Sequence, residues 1–212
     1  MFKKLFVALA AAAVMSGAVY AETTPAREIV VTAVEVAPMD EGPVKGLAKV
    51  VINDVLEISE IQVLKVGGRT SLKFPEYVSK AGKVYPQISV QTKQANDAIL
   101  QAVETGKPSA SKAKAISFKV TKFSKYTARG GKQSSLRVFA AVMFNDAIEV
   151  ECKLMEGKKG PWISWPARAP EDGGRKWINQ VIIKNKNVKD AIEKTLTDRY
   201  TKMGSGGGDE YE

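Results

Sequence analysis

The chain has 212 residues, with 32 Lys and Arg against 23 Asp and Glu, no His and a single Cys. Without histidine, Ser-His and Cys-His catalysis and most zinc-site designs are excluded, and one cysteine excludes an internal disulfide. The net charge of +9 turns attention from catalysis to anionic partners.

The first 21 residues, MFKKLFVALAAAAVMSGAVYA, combine a basic start (Lys3, Lys4), a short apolar stretch and small residues before a cut after Ala21 or Ala18. That is the pattern of a secretory signal peptide, which predicts export to the periplasm or cell envelope. The apolar core is short for a membrane span of roughly 20 residues, so an anchor is the weaker reading. The chain is cytoplasmic if the signal reading fails.

Beyond it, residues 29–36 (IVVTAVEV) are β-branched and predict a strand. A turn at Met39–Pro43 follows, then strands at 46–53 and 55–66. Gly67-Gly68 breaks the pattern before a short strand, Ser71 to Phe74, which Pro75 ends. Residues 76–83 read as a polar loop, and Tyr85 to Thr92 as another extended piece. From Gln94 to Glu104, Ala95, Ala98, Ile99, Ala102 and Val103 recur at helical intervals, and Gly106 stops the helix. Residues 107–115 are small, polar and basic, a linker. Strands are then expected at 116–124, 135–144 and 147–156, with turns at Gly130-Gly131 and Gly157 and a short strand from Trp162 to Trp165. A loop at 167–176, a strand at 177–184 and a helix over 187–202 complete the series. In that helix Val188, Ala191, Ile192, Thr195, Leu196 and Arg199 fall on one side. The acidic end, 204–212, has no apolar pattern and reads as disordered.

The series is the same one twice. VVINDVLEI (50–58) returns as VMFNDAIEV (142–150). Before it, Val31-Thr32 with Val34 is echoed by Val120-Thr121 with Phe123. After it, Leu72-Lys73-Phe74-Pro75 is echoed by Ile163-Ser164-Trp165-Pro166, and Tyr85 with Ile88 and Val90 by Trp177 with Val181 and Ile183. Asn96-Asp97-Ala98-Ile99 is echoed by Lys189-Asp190-Ala191-Ile192. The order is kept, so the chain is read as a tandem duplication, 28–106 and 116–203. Each copy has strands first and a helix last, which is α+β layering: an antiparallel sheet with a C-terminal helix on one face. Copies this small gain by packing on each other.

Candidate chemistry is sparse. Asp54 and Asp146 repeat, but Asn-Asp after a strand is ordinary turn chemistry. Cys152 alternates with Val150 and Leu154 and reads as a small buried hydrophobe. No enzyme activity, metal or cofactor is expected. Charge is more telling: residues 22–107 carry ten Lys and Arg against eleven Asp and Glu, and residues 108–212 carry twenty against twelve. The positive charge therefore sits on the second copy.

Together the Val-Thr-x-Val opening strand, the Asp-containing turn, the aromatic strand ending in Pro (LKFP, 72–75; WISWP, 162–166), the extended strand and the Asp-Ala-Ile helix resemble the stage V sporulation protein G family. These are the septation regulators of bacteria. The resemblance covers nearly all of each copy. It implies a non-enzymatic α+β fold that dimerises, associated with septum formation and sporulation, with some members binding DNA or RNA. A tandem copy would then form an intrachain pseudo-dimer. Two departures stand out: the family is ordinarily cytoplasmic, and its usual His after the Pro is replaced by Tyr85-Pro86-Gln87 and Trp177-Ile178-Asn179, so no role of that His carries over.

The surface expected to bind nucleic acid or another polyanion comprises Lys158, Lys159, Trp162, Arg168, Arg175, Lys176, Lys184, Lys186 and Lys189, with Lys194, Arg199 and Lys202 farther along the helix. Cations grip phosphates in a salt-sensitive way, and aromatics between them stack on bases. Trp165 and Trp177, aligned with Phe74 and Tyr85, read as core residues. Trp162, aligned with Ser71, reads as exposed. A solvated lysine face is the plain alternative. Besides septation-type regulation, two other functions fit: an exported envelope or division-site protein on wall polymers or anionic lipid, and a structural adaptor.

Overall fold

The structure, a computed structural model, describes residues 28–128, 134–171 and 173–205. The expected signal peptide, the Gly130-Gly131 turn and the end of the chain from residue 206 lie outside these residues.

Among the described residues the fold is α+β, with two five-stranded antiparallel sheets, two small two-stranded hairpins and two helices. The first sheet is built from β1 (Val31–Glu41), β2 (Val44–Ile52), β3 (Leu56–Val66) and β4 (Arg69–Lys73). The hairpin β5 (Glu76–Val78) and β6 (Val84–Pro86) follows, then β7 (Ile88–Val90) and α1 (Lys93–Thr105). The second sheet holds β8 (Phe118–Lys125), β9 (Leu136–Phe144), β10 (Ile148–Gly157) and β11 (Gly160–Ser164). A small hairpin of β12 (Ala167–Arg168) and β13 (Ile178–Asn179) leads to β14 (Val181–Ile183) and α2 (Lys186–Ser205).

The two sheets exchange strands. β7 comes from the first half of the chain but pairs with β10, setting Ile88 opposite Val150 and Val90 opposite Ile148. β14 comes from the second half but pairs with β3, setting Val181 opposite Ile58 and Ile183 opposite Leu56. The crossings occur at Gln87 and Gln180. The Gln87 N–H donates to Pro75 O while its carbonyl accepts from Glu151 N, and Gln180 stands in the same relation to Pro166 O and Ser59 N. The single strands expected at 85–92 and 177–184 are therefore each two strands, because this residue spends its backbone groups on two neighbours at once.

Both Asn-Asp pairs form the tight turns their chemistry suggests. Asn53 and Asp54 have φ of 51° and 58°, and Asn145 and Asp146 have 48° and 53°. Two consecutive positive φ angles give the hairpin turn whose twist matches that of the strands, and Asn and Asp tolerate that region best after Gly. Each turn is closed by a backbone bond, Val55 N to Ile52 O and Ala147 N to Phe144 O, both 2.9 Å.

Register corrects two of the sequence echoes. Val31 lies opposite Ile52 and Phe118 opposite Phe144, so Val31 corresponds to Phe118, two residues before Val120. In the small hairpins Tyr85 lies opposite Tyr77 and Ile178 opposite Arg168, which matches Tyr85 to Ile178 and not to Trp177. The residues expected as a polar loop at 76–83 include β5, since Tyr77 and Val78 have cross-strand partners in Tyr85 and Val84.

The helices cover one face of the sheets. In α1, Thr92 accepts from Ala95 N as the N-cap, Gly106 ends the helix at φ 64°, and Ala95, Ile99, Ala102 and Val103 are buried. In α2, Asn185 Oδ1 accepts from Val188 N, and the inward stripe is Val188, Ile192, Leu196 and Tyr200. Ala191 and Thr195, expected on that stripe, are exposed; four-residue steps through Ile192 carry the contact instead. One continuous core runs from Ile52, Leu56 and Ile58 of the first sheet through Ile99 to Phe144, Ile148 and Leu154 of the second and on to Ile192 and Leu196. Each such side chain contributes about 1.5–3 kcal/mol by burial.

Candidate polyanion-binding surface

Lys158 and Lys159 occupy the turn between β10 and β11, both exposed. Pairing across that turn sets Trp162 opposite Met155 and Ile163 opposite Leu154. Strand alternation then sends Ile163 into the core and Trp162 out, with 52% of its surface exposed. This agrees with the expectation for Trp162.

The other two tryptophans part company. Trp165 packs against the core and its indole donates to Glu193 Oε1 at 3.1 Å, as a core residue should. Trp177, expected beside it in the core, is 62% exposed. It corresponds to Val84, itself exposed, in the matching hairpin, and both precede the strand that enters the sheet. Arg175 and Lys176 immediately before Trp177 are also exposed.

The expected cations fall into two classes. Arg168 is held by Glu60, with Nη2 to Oε1 at 2.6 Å and Nε to Oε1 at 2.8 Å, and Gln180 Nε2 donates to Glu60 Oε2 at 2.8 Å. Glu60 sits at a bulge in β3 with φ 59°, and its bond raises the Arg168 pKa above the usual guanidinium value. Lys184 meets Glu57 at 3.4 Å, Lys189 meets Glu193 at 3.8 Å, and Lys186 pairs with Asp190. Farther along α2, Lys194 meets Asp198 at 2.5 Å, and the Arg199 guanidinium lies 4.6 Å from the Phe123 ring centre. By contrast, Lys158, Lys159, Arg175 and Lys176 make no ion pair with any described residue.

These four cations with Trp162 and Trp177 form two clusters. One closes the end of the β10–β11 hairpin. The other lies in the β12–β13 connection, which Arg168 and Gln180 fasten to Glu60 of the first sheet. Arg168 is thus a structural clasp between the halves as well as a member of the expected surface.

A third feature was not visible in the sequence. Tyr77 and Tyr85 stand opposite each other, ring centres 6.2 Å apart, with Lys83 over Tyr85 and Lys153 over Tyr77, each ammonium 5.0 Å from the ring centre. Lys153 belongs to β10, so this contact depends on tertiary structure. The signal in the chain is the symmetric spacing of Tyr77-Val78 and Val84-Tyr85 about Ala81.

Cys152 is buried, and that burial pushes its thiol up to about 12, so the thiolate a nucleophile requires is disfavoured. No helix among the described residues is long and apolar enough to cross a membrane. No family model, curated protein or solved structure matches the chain.

Proposed function

We propose that this chain is a non-enzymatic binding protein of the septation-regulator kind, a tandem pair that folds as its own dimer and grips nucleic acid or another polyanion through its basic second half. The observation that carries the binding reading is the set of four cations with no ion pair among the described residues, Lys158, Lys159, Arg175 and Lys176, beside exposed Trp162 and Trp177. Ion pairs within the protein lower the positive potential that Arg168, Lys184, Lys186 and Lys189 offer outward. Lys158, Lys159, Arg175 and Lys176 have no such pair among the described residues, and neutralising phosphates with them releases counterions.

The dimer-like reading is supported by the reciprocal loan of β7 and β14. A two-fold interface presents the same contact from both sides, and each loaned strand meets the same part of the other half's hairpin. After duplication the halves are free to diverge, which accommodates a supporting half of nearly balanced charge and a basic binding half.

The test is oligonucleotide binding by the purified protein across a salt series. The expected result is an affinity that falls steeply with salt and is abolished when Lys158, Lys159, Arg175 and Lys176 are all replaced by Glu. Binding that ignores salt, or survives the four replacements, sinks the reading. The alternative of an exported protein acting on wall polymers or anionic lipid rests on the N-terminal signal pattern. It is favoured if the cell envelope yields a chain beginning at Glu22 or Val19 and sedimentation with those polymers survives excess oligonucleotide.

A further inference from the structure

We propose that Tyr77 and Tyr85 form a stacking platform for the bases of a single-stranded nucleic acid, with Lys83 and Lys153 taking the adjoining phosphates. The inference rests on the polyanion reading and narrows it to one substrate class.

The hairpin of β5 and β6 has three residues in each strand and no core of its own. An isolated two-stranded hairpin is marginal in water. This one is fastened at its base by the Gln87–Pro75 bond and at Tyr77 by Lys153 of the other half. Yet it leaves both tyrosines exposed on one face, Tyr77 at 46% and Tyr85 at 43%, while the next cross-strand pair, Val78 and Val84, alternates to the other face. An exposed aromatic pair held in place from both ends marks a binding surface.

The charges select the ligand. Lys83 and Lys153 make no ion pair with any described residue, while the one carboxylate of the hairpin strands, Glu76, is paired with Lys73 at 2.9 Å. Each tyrosine ring carries an ammonium over one face, so a base takes the opposite face and its phosphate takes the ammonium. A single strand offers flat π faces alternating with phosphates, which is the complementary order, and base–aromatic stacking tolerates any sequence. A duplex keeps its base faces stacked on one another and cannot use the platform.

The experiment compares oligo-dT of about fifteen nucleotides, a length that fits one binding site of this type, with inorganic polyphosphate, using the full chain. Replacing both Tyr77 and Tyr85 by Leu should weaken oligo-dT binding by about 10- to 100-fold and leave polyphosphate binding unchanged. Replacing both by Phe should preserve oligo-dT binding, which separates stacking from damage to the hairpin. The paired Lys83→Gln and Lys153→Gln changes should lower the slope of log affinity against log salt by about 2. Unchanged oligo-dT affinity in the Leu variant overturns the platform while the polyanion reading stands, and so does an equal loss on polyphosphate. If the unaltered protein binds neither probe at low salt, the polyanion reading falls and the platform with it.

Discussion

Asn53 and Asn145, one from each half of the chain, donate through Nδ2 to the same carbonyl oxygen, that of Glu28, at 3.0 and 3.2 Å. Both are buried. Asn53 Oδ1 also accepts from Val30 N at 2.9 Å, and Asn145 Oδ1 from Ser117 N at 2.7 Å. The repeated Asn-Asp pair thus turns the chain and also ties the start of each half to its hairpin, with Glu28 bridging the two.

The first prediction concerns these amides. Asn53→Ala strands the Val30 N–H and puts an alanine at φ 51°. An orphaned buried group costs about 1–3 kcal/mol and the left-handed backbone about 1–2 kcal/mol more. Chemical denaturation should therefore show a loss of about 2–5 kcal/mol. Asn53→Gly keeps the backbone relaxed and should lose less. A Gly variant as unstable as the Ala variant would show that the backbone contributes nothing. The double change at Asn53 and Asn145 should not be additive, since both amides share one acceptor.

What was legible in the sequence was local. The Asn-Asp turns, the helix from Gln94 to Glu104 with its stop at Gly106, and the burial of Cys152 depend on residues within a few positions of one another. The partner of a short apolar strand does not: Ile88-Ser89-Val90 reads as extended whichever sheet it joins, and only Gln87, a residue with no sequence signature, sends it to the other half. Trp177 misled for a related reason. It was read as core because it was aligned with Tyr85, but the register of β13 leaves it one residue outside the paired segment, and Tyr85 is itself exposed. The lysine of the Tyr77 contact comes from a strand 76 residues away, so composition of the hairpin could not reveal it.

A second prediction separates Arg168 from the other cations. Arg168→Ala leaves Glu60, a half-buried carboxylate at a strained bulge, with Gln180 as its remaining side-chain donor. Stability should drop by about 1–3 kcal/mol. The affinity for oligonucleotide should fall less than it does for Lys176→Ala, because the Arg168 charge is already answered. Equal binding losses with no change in stability would reverse the assignment.

The third prediction is a pH dependence. Glu156 accepts from Arg137 Nε at 2.6 Å and from the Tyr200 hydroxyl at 3.1 Å, and these bonds hold its carboxyl below the ordinary value of 4.5. A depressed carboxylate contributes stability above its unfolded pKa and loses it as pH falls through the folded one. Tyr200 moves the other way: burial first, then Glu156, raises its hydroxyl above 10.0, so its share is present below the unfolded pKa and is lost at higher, alkaline pH. Glu156→Gln should flatten the acid limb of a stability–pH curve measured by denaturation. An acid limb identical to that of the unaltered protein would show that other carboxylates set it.

The fourth prediction tests the strand exchange. If the chain is cut within residues 107–115, the first half keeps β7 but loses its partner β10, and the second half keeps β14 but loses β3. Ile88, Val181 and Ile183, now at most 6% exposed, would face water, at about 1.5–3 kcal/mol for each side chain. The Glu60 clasp to Arg168 and Gln180 would go as well. Losses of that size rival the whole stability of a small domain. Each half alone should therefore be unfolded or self-associated by sedimentation. Mixing the two should restore a one-to-one complex with the circular dichroism of the intact chain. Self-association of one half would place its own β7 or β14 on a second copy, the arrangement from which a fused pair could descend. A stably folded monomeric half would mean that the loaned strand is dispensable, and the dimer-like reading would lose its support.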